Sequence, residues 1–166
     1  MKKITVGFAA VFAALFLFSC KSAPAPAPAA EEEFTQEAVN EALTQIFDTH
    51  RPSLDLTGAQ QYTVVRRDTL SQIARRFYGN LTNVGIAGER NGFFFPIIMM
   101  ASGSNIVDPD LIRPGMRLTI PDLRRNLDNP SSRDAIRNSL LQVAEIYSKK
   151  NRPVEVEGLR RLANSL

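Results

Sequence analysis

The sequence is poor in the residues that build disulfides and metal sites. It has one cysteine, one histidine and no tryptophan among its 166 residues. A single cysteine has no partner for a disulfide within the chain. Because His50 has no second histidine or cysteine near it, the composition argues against a zinc site. We therefore expect no metal and no cofactor.

The N-terminus has the pattern of a secretory signal. Met1, Lys2 and Lys3 form a short positive segment, and residues 4–18 are uncharged and almost wholly apolar. This apolar run is shorter than the roughly 20 residues that cross a bilayer as a helix. We therefore predict a signal peptide over residues 1–19, with a membrane-spanning helix as the alternative.

Residues 17–20 read LFSC and resemble the lipobox of bacterial lipoproteins. Leu17 and Ser19 match that pattern, whereas Phe18 is bulkier than the usual residue. The resemblance implies cleavage before Cys20, attachment of lipid to its thiol and acylation of the new amine. Stable anchoring needs more than one acyl chain, at about 0.8 kcal/mol per buried CH₂. The alternative is ordinary cleavage nearby, which would leave Cys20 unmodified.

The charge of the chain is nearly balanced. The sequence has 20 basic and 17 acidic residues, and loss of Lys2 and Lys3 with the signal would leave a net charge of +1. Proteins that bind nucleic acid usually carry a clear basic excess. We therefore expect no nucleic-acid partner.

The segment that follows the cysteine is a spacer. Residues 20–30 comprise Cys20 and a linker that reads KSAPAPAPAA. Alternating proline prevents regular helix and sheet because every second residue lacks an N–H. The predicted linker is disordered but extended, and it reaches about 30 Å at 3.1 Å per residue.

Residues 31–51 have the spacing of an amphipathic helix. Glutamates at its start suit a helix N-terminus, and Arg51-Pro52 is expected to end it. Its predicted apolar face consists of Phe34, Ala38, Ala42, Leu43, Ile46 and Phe47.

The central segment predicts the order strand, helix, helix, strand. Residues 61–65 and 116–120 have the composition or alternation of strands. Thr69 and Gln72 form a capping-box pattern at the start of the first helix. Its apolar stripe is predicted to be Leu70, Ile73, Ala74 and Phe77. Residues 93–101 are apolar and compatible with the second helix.

Two stretches of this segment, YTVVRRDTLSQIARRFYGN and FPIIMMASGSNIVDPDLIRPGMRLTIP, resemble the two halves of a LysM domain over residues 61–122. The resemblance implies an α+β fold, with βααβ order and two helices on one face of an antiparallel sheet. It also implies binding of N-acetylglucosamine polymers such as peptidoglycan. The chain departs from the family at Arg67, where glycine is common. It also has about ten extra residues between the helices, including residues 84–92, which we interpret as an enlarged loop.

In the LysM family the sugar lies in a shallow groove between the loop after the first strand and the loop before the second. By resemblance, the glycan-binding residues are Asp68, Thr69, Leu70, Pro109, Asp110, Leu111, Ile112 and Arg113. A purely structural role is the alternative for each of them. Leu70 and Ile112 would then be core residues, and Asp68 and Thr69 would cap the first helix.

Residues 130–166 are predicted to form a helical extension. Ser131 and Asp134 have the spacing of a capping box, and Pro153 is expected to begin the last helix. We expect these helices to pack on the domain or on the helix at residues 31–51.

These features predict a non-catalytic lipoprotein of the bacterial cell envelope, anchored to a membrane by lipid, with its folded part periplasmic or otherwise extracytoplasmic. It would tether the membrane to peptidoglycan through the LysM domain. The alternative is a scaffold that binds an envelope protein partner and little or no glycan. We do not expect an enzyme, because the sequence has no Cys–His pair and no paired carboxylates in a recognisable cleft.

Overall fold

The computed structural model describes residues 35–80, 88–103, 106 and 108–166. The predicted signal peptide, Cys20 and the Ala-Pro linker lie outside these residues, as do residues 84–87 of the predicted enlarged loop. Within the described part of the chain, no helix is long and apolar enough to cross a membrane.

Helix α1 spans Gln36–His50 and is capped by Thr35, whose hydroxyl accepts a hydrogen bond from the N–H of Ala38 at 3.2 Å. A short 3₁₀ turn follows at once, which confirms the predicted end of the helix. The predicted apolar face is only partly correct. Val39 is buried in register with Leu43 and Phe47, whereas Ala38 is exposed. Side chains four residues apart share a face, so Val39 belongs with Leu43 and Phe47. Ala42 and Ile46 pack against the core as predicted, and Phe34 lies outside the described residues.

The sheet has two antiparallel strands, β1 (Gln60–Thr63) and β2 (Arg117–Ile120). Gln60 pairs with Ile120 at one end and Thr63 pairs with Arg117 at the other. Both strands were predicted to within two residues. Beyond them, the N–H of Val64 donates to the carbonyl of Met116 at 2.9 Å. This bond holds the two connecting loops side by side.

Helix α2 spans Leu70–Tyr78 and begins with the predicted capping box. The Thr69 hydroxyl accepts from the N–H of Gln72, and the Gln72 side chain accepts from the N–H of Thr69, both at 3.2 Å. The helix buries Leu70, Ile73, Ala74 and Tyr78. The prediction named Phe77 in place of Tyr78, but Phe77 is only half-buried.

Part of the predicted enlarged loop is a 3₁₀ helix, Gly88–Phe94. Its Asn91 is fully buried and donates to the carbonyl of Tyr78 at 2.5 Å. The part of the predicted enlarged loop that the structure describes is therefore a 3₁₀ helix with a buried side chain. The polar side chain of Asn91 gave no sign in the sequence that it would be buried, because its partner is a backbone carbonyl of α2.

Helix α3 spans Phe95–Ser102, with Pro96 in its first turn, and it is buried on all sides. A helix that is apolar all round requires cover from every direction. The next residue, Gly103, has φ 67°, and a side chain there would press on the Arg51 guanidinium. Arg51 donates to the Met100 carbonyl at 2.9 Å and thereby links the end of α1 to α3.

Three helices follow the sheet in the described chain: α4 (Leu123–Asp128), α5 (Pro130–Lys149) and α6 (Pro153–Ala163). Helix α4 was not predicted. The predicted start of α6 at Pro153 is confirmed. The predicted Ser131 capping box is wrong, because Asn129 caps α5 and accepts from the N–H groups of Ser131 and Ser132.

The chain has an α+β fold in which the flanking helices share the core of the sheet and its helices. Helix α3 packs against β2, α2, α1 and α5. These elements each contribute buried apolar side chains to one hydrophobic cluster. The domain limits drawn from the sequence, at residues 31–51, 61–122 and 130–166, remain predictions.

A substitution at Gly158 of α6 tests how tightly the C-terminal extension is packed. The Phe93 ring lies directly against this glycine, and a Cβ built there would overlap three ring carbons. Overpacking costs about 1–3 kcal/mol, whereas alanine gains only about 1 kcal/mol in helix propensity. We expect Gly158→Ala to lower the free energy of unfolding by about 1 kcal/mol, measured by urea denaturation.

The Phe93→Ala background supplies the control for this experiment. With the ring removed, Gly158→Ala should raise the free energy of unfolding by about 0.5–1 kcal/mol, because only the helix propensity remains. Equal destabilisation in both backgrounds would show that the ring is not the obstacle.

Candidate functional site

The first loop, residues 64–69, is organised by the Asp68 carboxylate. It accepts hydrogen bonds from the Tyr62 hydroxyl at 2.6 Å and from the N–H of Val65 at 2.9 Å. Arg76 of α2 lies 3.4 Å from the same carboxylate and donates to the Tyr62 hydroxyl at 2.5 Å. Only 5% of the Asp68 side chain is exposed. Asp68 therefore shapes the loop by internal contacts.

The protonation of Asp68 follows from these contacts. Burial would raise the pKa of its carboxyl, but the bonds from Tyr62 and Val65 and the charge of Arg76 outweigh it, so the pKa lies below its usual value. A lowered pKa adds stability above the unfolded-state value of about 3.9. That contribution is lost only as the pH falls through the lower folded-state pKa. Asp68 is thus ionised at neutral pH.

Arg67 carries backbone strain next to Asp68. Its φ is 73°, in the left-handed region that favours glycine. A non-glycine residue held there costs about 1 kcal/mol or more. The sequence singled out this position, since glycine is common there in the family that the segment resembles.

The second loop, residues 108–116, carries the other predicted contacts. Asp108 is buried, and its carboxylate accepts from the N–H of Asp110 at 2.8 Å and from the Gln36 side chain at 2.7 Å. It caps the 3₁₀ turn Pro109–Leu111. Asp108 was not among the predicted residues, although an Asp-Pro pair is a common turn signal.

The predicted contacts of the second loop face in different directions. Pro109 is buried and Ile112 is half-buried against the core, whereas Leu111 is 55% exposed. Arg113 is exposed, and its N–H lies 3.0 Å from the Met116 sulfur. Leu111 is thus the large apolar side chain that this loop presents to solvent.

The C-terminal extension reaches the second loop through Asp110. Its carboxylate lies 3.5 Å from the Lys150 ammonium and 3.6 Å from the Arg152 guanidinium. Arg152 also pairs with Glu155 of α6, and its guanidinium lies 5.8 Å from the centre of the Tyr147 ring. The turn between α5 and α6 is therefore held beside the second loop.

A small pocket of about 60 Å³ lies where the two loops and the extension meet. Of the predicted residues it brings together Thr69, Leu70, Pro109 and Asp110. The remaining predicted residues, Asp68, Leu111, Ile112 and Arg113, do not line it. The other lining residues are Ser71, Phe95, Tyr147, Arg152 and Glu155.

No local sequence pattern predicts that residues of the extension line this pocket. Tyr147 and Arg152 are about 80 positions away from Thr69 in the chain, and tertiary packing alone brings them together. Tyr147 is 3% exposed, and burial raises the pKa of its hydroxyl. The Tyr147 side chain therefore contributes an uncharged surface to the pocket. In the described part of the chain, no group of three acidic, histidine or cysteine side chains is placed to hold a metal ion.

The family model of the LysM domain matches residues 62–87. The chain contains a LysM domain. The match covers part of β1, the first loop and α2, and its residues 81–87 lie outside the described ones. Helix α3 and strand β2 complete the βααβ order of the LysM domain beyond the matched residues.

Two proteins of Mycobacterium tuberculosis are similar to part of the chain. Esterase MT1326 of strain CDC 1551 / Oshkosh and Esterase Rv1288 of strain ATCC 25618 / H37Rv are each 42% identical over 65 residues. This stretch is 39% of the present chain and 11% of each relative, so the chain spans about a tenth of the length of these curated relatives. No solved structure matches the chain significantly.

Replacement of Arg67 by glycine tests the strain in the first loop of the LysM domain. Glycine relieves the positive φ but also gains freedom in the unfolded chain. We expect Arg67→Gly to raise the free energy of unfolding by about 0.5–1 kcal/mol in a urea titration. Arg66→Gly is the matched control, since its φ is not positive and it should lose about 0.5–1 kcal/mol. Changes of the same sign in both variants would argue against strain at Arg67.

Proposed function

We propose that this protein is a non-catalytic lipoprotein of the bacterial cell envelope that binds N-acetylglucosamine-containing peptidoglycan and tethers a membrane to the wall. The LysM match at residues 62–87, together with the βααβ order that β1, α2, α3 and β2 form, is the observation that carries the proposal. In this proposal the folded part lies in the periplasm or elsewhere outside the cytoplasm, and peptidoglycan and the membrane are its partners.

The membrane end of the proposed tether is Cys20. The apolar run at residues 4–18 and the LFSC sequence support export and lipid attachment. The Ala-Pro linker would hold the folded part about 30 Å from the lipid surface. The lipid anchor supplies the firm attachment, and the groove supplies a weaker contact with the wall.

The glycan end is the groove between the first and second loops. An N-acetyl group offers one N–H, one carbonyl and one methyl, which suit backbone groups and apolar side chains in facing loops. Asp68 and Leu70 are held inward and would act by shaping this surface. Leu111 does not line the pocket, but it is the large apolar side chain that the second loop exposes, and we propose it for direct contact.

The comparisons support a binding role for the matched part of the chain. A LysM domain is non-catalytic, and the relatives named esterases share only 11% of their length with this chain. The Nε2 of His50, the one histidine, lies 2.9 Å from the amide oxygen of Gln142. We therefore propose that the chain does not share an esterase activity.

The second candidate is a protein-interaction scaffold. The pocket of about 60 Å³ is far smaller than the roughly 300–1,000 Å³ typical of small-molecule sites. The extension contributes Tyr147, Arg152 and Glu155 to the lining of this pocket. In this alternative the LysM fold is a platform on which the flanking helices bind an envelope protein.

Sedimentation with purified peptidoglycan separates the two candidates. The full-length protein in detergent should co-sediment with the polymer, and Leu111→Ser should weaken retention about threefold to tenfold, because it removes a large part of an apolar contact. Leu56→Ser is the matched control, because Leu56 is 43% exposed and lies before the first strand. It should sediment like the wild type.

Retention indistinguishable from that of an unrelated detergent-solubilised lipoprotein would reject the glycan-binding proposal. Crosslinking in cells that recovers a protein partner and no muropeptide would then favour the scaffold.

The lipid anchor has a separate test. In cells, Cys20→Ser should abolish incorporation of a radiolabelled fatty acid and move the protein from the detergent phase to the aqueous phase of a two-phase extraction. Ser19→Ala is the matched control, since it keeps a small residue beside the cysteine, and it should be labelled normally. Labelling of the Cys20→Ser protein would show that the lipid is attached elsewhere.

A further inference from the structure

The C-terminal extension forms a fixed third side of the glycan groove. Tyr147 packs edge-to-face on Phe95 of α3, with ring centres 6.0 Å apart. The N–H of Arg152 donates to the Tyr147 carbonyl at 3.0 Å, which fixes the turn between α5 and α6. Lys150, only 17% exposed, pairs with Asp110 of the second loop. The turn is thus held by core packing, backbone bonds and ion pairs, and it is not free to swing away.

The pocket accommodates a substituent rather than a whole sugar. Its volume of about 60 Å³ is several times the 10–15 Å³ that one water molecule requires. A group of four heavy atoms, such as an acetamido group, is of the right size. The rest of the sugar ring would then lie at the rim, where Arg152 and Glu155 line the pocket.

The charges at the rim suit a neutral ligand. The two cations Lys150 and Arg152 are offset by the carboxylates of Asp110 and Glu155. Asp108, buried behind them, adds no attraction for an anion. Because the rim has no excess positive charge, it should not bind a carboxylate-bearing peptide more tightly than a neutral sugar. A guanidinium and a carboxylate side by side match the acceptor and donor of sugar hydroxyls.

We propose that Arg152 and Glu155 are specificity-determining residues of the glycan site. They hydrogen-bond hydroxyl groups of the sugar whose acetamido group occupies the pocket. Recognition then depends on the C-terminal extension as well as on the two LysM loops. This inference rests on the proposed glycan binding.

A titration with the tetramer of N-acetylglucosamine tests the proposal on the full-length protein in detergent. Arg152→Ala and Glu155→Gln should each weaken binding about threefold to tenfold, the range expected for loss of one or two hydrogen bonds. Arg160→Ala is the matched control, since Arg160 lies on α6, as Glu155 does, but pairs with Glu145 on the exposed surface. It should bind like the wild type.

Nuclear magnetic resonance adds a readout that a purely structural role would not change. The side-chain Nε–H signal of Arg152 should shift on addition of the tetramer, whereas that of Arg160 should not. A spectrum of each variant without ligand checks that it is folded. Because Glu155→Gln keeps the shape of the side chain, it remains informative even where Arg152→Ala disturbs the turn.

The outcomes distinguish this inference from the proposed function. No binding of the tetramer by the wild type would overturn the glycan-binding proposal, and this inference with it. Wild-type binding that is unchanged in folded Arg152→Ala and Glu155→Gln would overturn this inference alone.

Discussion

The structure depends on covering helix α3. Seven of its eight residues are buried, so the helix has no face that can meet water. Strand β2 and α2 cover only part of such a helix, and α1 and α5 also pack against it. Burial of apolar surface stabilises by about 25 cal/mol per Å². Because the flanking helices supply part of this burial, they belong to the same folding unit as the sheet and its helices.

The packing of α5 on α3 places the turn between α5 and α6 beside the groove. Helix α5 must run across α3 to bury its apolar stripe, and its last turn then arrives next to the second loop. Tyr147 contacts Phe95 within the core, and Arg152 follows at the turn where the chain reverses into α6. The Asp110 side chain is 51% exposed, so its ion pairs with Lys150 and Arg152 add little stability. They nevertheless fix the orientation of charged groups that packing has already brought there. A site with a third side is thus a consequence of how the core is completed.

Local signals carried most of what the sequence could predict. The order strand, helix, helix, strand and the Thr69–Gln72 capping box depend on neighbours within four residues, and both are present in the structure. Errors appeared where several local solutions compete, as at α5, where Asn129 rather than Ser131 supplies the cap. The contribution of Tyr147 and Arg152 to the pocket could not be predicted, because it depends on contacts across some 80 residues, for which composition and periodicity carry no information.

The small size of the pocket bears on how a tether of this kind would work. A contact limited to one substituent and a few rim hydrogen bonds is weak, since association must first overcome the loss of translational and rotational freedom. A lipid anchor removes much of that loss by confining the protein near the wall, and a repeating polymer offers many equivalent positions. The two ends of the proposed bridge therefore depend on each other. A shallow, three-sided groove is adequate on a lipidated chain, whereas the same groove on a freely diffusing chain would seldom be occupied.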